Sequence, residues 1–161
     1  MYKDSFLEAV KEFEAVGENI YLHGNKPNEE FDELLLKIKE REEGENLPAG
    51  RVPQTELWLV EGDKFIGWTK IRHRLNEKLL LQGGNIGYSI RPSERSKGYG
   101  TRILELALSE AKSLGLDKVL VTCDDDNTGS AKVIEKNGGI LENKIEDEGR
   151  LKRRYWIELK K

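Results

Sequence analysis

Between Asn85 and Val121 the chain carries one apolar strand, one long amphipathic helix and a second short strand, and this triplet limits the fold more than any other feature. The first strand spans Asn85 to Arg91 and stops at Pro92, which has no backbone N–H to donate. The helix reads as about Gly98 to Leu114, with Ile103, Leu104, Ala107, Leu108, Ala111 and Leu114 on one face. Gly115 closes it, and Leu116 can supply the apolar contact that accompanies such an ending. Val119-Leu120-Val121 then form the second strand. A strand–helix–strand crossover puts its helix on a face of the sheet.

The flanks extend this pattern. Residues 4–16 predict a helix, with Phe6, Leu7, Val10, Phe13 and Val16 at helical spacing. A second helix is predicted from Asn28, as N-cap, to Glu43, with Phe31, Leu34, Leu35 and Ile38 in one stripe. Residues 44–55 read as a loop. Strands follow at 57–60 and from Phe65 to Leu75, joined by Glu61-Gly62-Asp63-Lys64. Another helix is predicted from about Asn127 to Lys136, stopped by Asn137-Gly138-Gly139, and two closing strands flank Asp147-Glu148-Gly149. The expected fold is a single domain over residues 1–161, of the mixed α/β class, with hairpins on both sides of the crossover and helices on the faces.

Composition excludes several function classes. A net charge of -3 argues against a duplex nucleic-acid binder. One cysteine forbids an internal disulfide, and one cysteine with two histidines argues against structural zinc, so no metal is expected. No apolar run approaches the roughly 20 residues that span a bilayer. The first residues lack a basic-then-apolar secretory pattern, so a cytoplasmic protein is expected.

Chemistry concentrates in Ile90-Arg91-Pro92-Ser93-Glu94-Arg95-Ser96-Lys97-Gly98-Tyr99-Gly100-Thr101. A strand ends, a short loop turns, and a helix begins, so backbone N–H groups stand unpaired where the helix dipole favours an anion. Gly98 and Gly100 permit close backbone approach, or conformations barred to other residues. Arg91, Arg95, Lys97 and Arg102 make the stretch basic. Neither the lysine–serine/threonine ending of a phosphate-binding P-loop nor the Gly-x-Gly-x-x-Gly fingerprint is present. These residues alone allow a phosphate site or a plain glycine-rich turn.

Arg95-Ser96-Lys97-Gly98-Tyr99-Gly100 resembles the Gln/Arg-x-x-Gly-x-Gly/Ala signature of the GNAT acetyltransferases. The resemblance continues in order through the helix, Val119-Leu120-Val121, Asn127, Ser130 and Ala131, to Glu135-Lys136-Asn137-Gly138-Gly139. It covers roughly residues 84–141 and resembles the branch described only as predicted acetyltransferases. It implies acetyl-CoA as co-substrate, a small-molecule or peptide amine as acceptor, and a GNAT-like, mostly antiparallel sheet. Tyr88, Ser89 and Ile90 would present strand backbone to the pantetheine arm, Arg95 belongs to the signature, and the amides from Ser96 through Lys97, Gly98, Tyr99 and Gly100 to Thr101 would hold the pyrophosphate. Asn127 and Ser130 would contact the cofactor, although Asn127 equally suits an N-cap. Relatives often carry a proton-donating tyrosine where this chain has Ile134, and an aromatic where it has Gly139. Closing strands of this family often pair, which leaves a homodimer open.

The expected reaction is attack of a neutral amine on the thioester, with a strand amide from 88–90 stabilising the oxyanion. His73 is the candidate base, with Glu56, Glu77 and Asp124 as competing carboxylates. Strand alternation would place His73 beside Thr69, Ile71 and Leu75. Arg72 and Arg74, with Arg153 and Arg154, are candidates to meet an acidic group on the acceptor; as a plainer alternative they are solvated strand faces. Asp124-Asp125-Asp126 reads as a solvated helix entry, and Cys123 as a small strand residue. The rival function on the same fold is a non-catalytic acyl-CoA-binding sensor.

Overall fold

A computed structural model describes residues 2–18 and 27–159. His23 lies outside the described residues, as does the side chain of Asn28, the expected N-cap of the second helix. Helix α1 is Lys3–Ala15 and helix α2 is Pro27–Glu43. Strands β1 (Gln54–Glu61) and β2 (Lys64–Arg72) form the first hairpin. A short helix α3 (Glu77–Leu81), not among the expected elements, precedes β3 (Ile86–Ile90). Next come α4 (Tyr99–Ser113), β4 (Lys118–Asp124), α5 (Thr128–Lys136), β5 (Ile140–Asp147) and β6 (Arg150–Glu158).

The six strands run in the order β1-β2-β3-β4-β6-β5. All neighbours are antiparallel except β3 and β4, the pair joined by the α4 crossover. Sheet and helices form two cores. Leu104, Ala107 and Ala111 of α4 pack with Ala131 and Ile134 of α5 on Ile71, Ile86, Val119, Val121, Tyr155 and Ile157. On the opposite face Phe6, Ala9, Val10 and Phe13 of α1 meet Phe31 and Leu34 of α2 over Phe65. Phe6 stacks on Trp58 with centroids 4.5 Å apart, and Phe65 meets both rings edge-on. Leu35, expected in the α2 stripe, is instead 45% exposed.

The end of α4 matches its sequence signals. Gly115 adopts φ +90°, its amide reaches the Lys112 carbonyl, and the Leu116 amide reaches Ala111 at 3.1 Å. Strand β2, by contrast, ends at Arg72 rather than Leu75. The Arg72 amide still donates to Asn85, but the next amide, of His73, donates to Pro53 in the preceding loop. Asn85 ties the sheet at this level. Its side chain accepts from the Leu120 amide at 2.9 Å and donates to the Arg72 carbonyl at 3.2 Å. Gly84 lets the chain pass there, since a Cβ would lie 2.3 Å from the Leu120 carbonyl oxygen.

Candidate active site

Strand β3 has one full edge and one open edge. It pairs with β2 along its whole length, but its register with β4 is the single pair Ile86↔Val121. The Arg91 amide donates to Ile66 on the β2 side. Antiparallel alternation therefore turns the amides of Tyr88 and Ile90 the other way, into the gap. A cleft of about 540 Å³ runs along that gap. Tyr88, Ser89 and Ile90 line its side, Arg95, Ser96, Gly98, Tyr99, Gly100 and Thr101 its end, and Asn127 and Ser130 its α5 wall. Lys97 is not part of the lining; its ammonium pairs with Glu94 at 3.1 Å.

The loop at the end of the cleft is built by backbone conformation. Pro92–Glu94 form one 3₁₀ turn. Ser96 adopts φ 63°, uncommon for a residue with a side chain, and Gly98 adopts φ +88° as the N-cap of α4. No side chain caps this helix, and among the described residues no acceptor meets the amides of Ser96 to Thr101. These donors all stand at the positive end of α4. Gly98 is needed for its φ, since space for a Cβ is open there. Gly100 is tighter: a Cβ would lie 3.3 Å from Val133 of α5. Open donors at a helix start beside an unpaired strand edge suit a pyrophosphate followed by an extended amide-bearing arm.

The four basic residues of this stretch do not form a free positive patch. Arg91 is buried and reaches past the loop to α1, pairing with Glu12 at 2.8 Å and Glu8 at 3.5 Å. Partial burial raises the Glu12 carboxyl, but hydrogen bonds from Ser93 and Arg91 outweigh it and hold the group below its ordinary range. Arg95 pairs with Glu18 and donates Nε to the Ile90 carbonyl at 3.0 Å. Arg102 pairs with Glu105. Glu94 is held by Lys64 and Lys97, whose hydrogen bonds depress its pKa. The donors that this loop leaves open are therefore backbone groups first.

On α5, Asn127 caps the helix: its Oδ1 accepts from the Ser130 amide at 3.1 Å while the residue lines the cleft. The Tyr88 hydroxyl donates to Ser130 Oγ at 3.4 Å, and burial raises the phenol's pKa. Ile134 is fully buried in the core. A Cβ on Gly139 would lie 2.4 Å from its Cγ2, so this corner has no room for the family's aromatic.

His73 lies just past β2, outside the cleft lining. Its Nε2 is 2.8 Å from Thr55 Oγ1, whose hydroxyl in turn faces Glu42 at 3.5 Å. Because β2 ends one residue earlier, the alternation invoked for His73 does not reach it. Of the competing carboxylates, Asp124 is lowered by its hydrogen bond to Lys152 and by Arg150, Glu77 is exposed in α3, and Glu56 lies opposite Lys70 in the first hairpin. Arg153 pairs with Asp125 at 2.8 Å. Arg154 is buried against Glu142, Asn143 and the Leu80 carbonyl. Burial raises the Cys123 thiol, which does not favour a nucleophile. Among the described residues no three His, Cys, Asp or Glu side chains are grouped to hold a metal ion, and no helix is long and apolar enough to cross a membrane.

Residues 4–140 match the family described as Acetyltransferase (GNAT) domain. The uncharacterized N-acetyltransferase YjdG of Bacillus subtilis is 25% identical over 146 residues, covering 86% of this chain and 78% of that protein. A mycothiol acetyltransferase of Geodermatophilus obscurus is 29% identical over 80 residues, 48% of this chain but only 26% of its own length. Among solved structures, the ribosomal L7/L12 α-N-protein acetyltransferase RimL in complex with coenzyme A superposes with a TM-score of 0.70 at 15% identity, covering 98% of this chain and 88% of that one. The acetyl-CoA complex of yncA from Salmonella typhimurium gives 0.63 at 13% identity, with coverage of 98% and 88%. The family match spans most of the chain, and the solved neighbours share its fold: the chain belongs to the GNAT acetyltransferases.

Proposed function

We propose that the protein transfers an acetyl group from acetyl-CoA to a primary amine, by direct attack of the amine on the thioester. One observation carries this reading: the amides of Ser96 to Thr101 stand without acceptors at the start of α4, at the end of a cleft that follows the open edge of β3. Those amides would hold the pyrophosphate. The Tyr88 and Ile90 backbone would pair with the pantetheine arm, with Asn127 and Ser130 against it from α5. When bound, acetyl-CoA supplies the activated acyl group.

The chain's own residues supply the rest. An amide of Tyr88 or Ile90 stabilises negative charge on the carbonyl oxygen, and the cleft aligns the reactants. The Tyr88–Ser130 pair is the proton source for the departing thiolate. That demand is small, since a thiol's pKa of about 8.5 makes it a tolerable leaving group unaided. The incoming amine, with a pKa near 10.4 if lysine-like, must lose a proton. Neither His73, held by Thr55 outside the cleft lining, nor Asp124, ion-paired with Lys152, is favoured as the base that takes it. The acceptor is a small-molecule or peptide amine and the setting cytoplasmic. A homodimer would form through β5, an outer strand of the sheet with Ile140 71% exposed; light scattering would reveal it.

The test is thiol release from acetyl-CoA over a panel of amines. Turnover with any primary amine supports the proposal. Tight CoA binding with no turnover across the panel would overturn it in favour of an acyl-CoA sensor.

A further inference from the structure

At the other end of β2 from the glycine loop, a second cavity of about 250 Å³ lies between the α2–β1 loop and α3. Arg51, Arg72 and Lys78 line it, with Gln54; the Gln82 amide, also in the lining, faces the Asp147 carboxylate. Among the described residues none of these three cations has a carboxylate within ion-pair distance. Arg51 and Lys78 are exposed and Arg72 is half-buried, so the cluster is hydrated and open to an anion from solvent.

Arg72 is positioned for the task. Its Nη1 is fixed by the carbonyls of Gly83 at 3.1 Å and Gly84 at 3.0 Å. Nε and Nη2 have no acceptor among the described residues, and their fork suits a carboxylate or phosphate. Burial chiefly, with a smaller contribution from the charge of Arg51, lowers the Arg72 pKa.

The cavity also has a geometric relation to the cleft. Arg72 shares a sheet face with Lys70 and Trp68, which sit opposite Gly87 and Ser89 of β3. Gly87 has nothing within 4 Å of where its Cβ would be, so the sheet is open above it. Thr69 pairs with Tyr88, three residues along β2 from Arg72. At about 3.3 Å per residue, that separation is roughly 10 Å. We propose that the Arg51–Arg72–Lys78 cavity is the acceptor's anion subsite, which selects a primary amine carrying a carboxylate or phosphate at least about 10 Å from its nitrogen. That spacing matches about three residues of extended peptide and exceeds the reach of an α-amino acid's own carboxylate. The assignment rests on the acetyl-transfer reading.

The experiment compares a tripeptide as free acid with the same tripeptide as C-terminal amide, beside an acid-free polyamine. The wild type should show a KM at least tenfold lower for the acid. In Arg51→Ala/Lys78→Ala, two exposed positions, the acid's KM should rise to that of the amide, while calorimetric CoA affinity stays the same. Arg51→Lys should restore part of the preference. Inorganic phosphate added to the CoA-saturated protein should bind at millimolar concentration and shift the Gly83 amide resonance in the wild type, but not in the double variant. Equal KM for acid and amide in the wild type, a preference that survives the double variant, or no phosphate response would each overturn the subsite. Failure of every amine to release thiol would instead sink the acetyl-transfer reading, and the phosphate titration would still decide the subsite.

Discussion

Two groups of cations stand at opposite ends of the β2–β3 pair, and they differ in one respect. Arg91, Arg95, Lys97 and Arg102, gathered by the sequence around the glycine loop, are each matched by a carboxylate: Glu12, Glu18, Glu94 and Glu105. Arg51, Arg72 and Lys78, scattered in the sequence, meet in one cavity with no such partner among the described residues. Proximity along the chain therefore says little about net local charge. Long side chains carry their charge well away from their own backbone, and the elements that fold over them decide whether they are neutralised. On the proposed readings, the first site would recognise its anion through the backbone and the second through side chains. Mutations should separate the two modes.

The largest effect is expected from the backbone site. Gly100→Glu puts a carboxylate and extra bulk among the open amides, with its Cβ against Val133. Calorimetry should show CoA affinity reduced by more than about 1,000-fold, about 4 kcal/mol, with helical circular dichroism unchanged. Near-native affinity would mean that these amides are not the phosphate donors.

Arg91→Met should behave in the opposite way. It removes a buried guanidinium from Glu12 and Glu8, and the expected cost is about 3 kcal/mol of stability by urea unfolding. CoA affinity of the folded variant should change less than threefold. A large loss of affinity would place Arg91 in the cofactor site. Asn85→Ala should cost about 2 kcal/mol, because the Leu120 amide and Arg72 carbonyl are both left short of a partner. A neutral result would show that water replaces the amide there.

Lys70, on the sheet face shared with Arg72, provides a smaller, pH-dependent test. Burial lowers its pKa to about 8, with Glu56 opposing and Arg41, Arg72 and Arg51 reinforcing the shift. The folded chain sheds this proton near pH 8 and the unfolded chain near 10.5. Between those values the unfolded state binds more protons, so stability should rise with pH. Lys70→Met should abolish that rise in the urea midpoint, and an unchanged pH profile would contradict the assignment. The smallest effect is expected at His73. Held by Thr55, it should tolerate Ala with less than a threefold change in kcat/KM and an unaltered pH–rate profile. A fall of roughly 10²-fold would make it the base after all.

The parts of this fold that were legible in the sequence are those dictated by local chemistry. Gly115 and Leu116 mark the end of α4 because their capping bonds close within five residues. The crossover, both hairpins and the loop from Arg95 to Thr101 follow from period changes and from glycines that permit positive φ. Contacts decided at a distance were not legible. Strand β2 stops short of Leu75 because Pro53, in another segment, captures the His73 amide. Helix α3 is too short for a periodic signal; only Asn76, which accepts from the Leu79 amide as its cap, hints at it. The pairing of Arg91 with α1 and the meeting of Arg51 with Arg72 depend on side-chain trajectories that no spacing rule contains.

The lone register pair between β3 and β4 has a consequence for cooperativity. The sheet consists of two three-stranded sections, β1-β2-β3 and β4-β6-β5, each internally bonded along full strands and joined to the other mainly by Ile86↔Val121 and Asn85. Such sections behave as separate opening units in amide exchange. A ligand arm lying along the free edge of β3 would act as a removable seventh strand that couples them. The apo protein should then show two exchange regimes that merge into one when CoA is present.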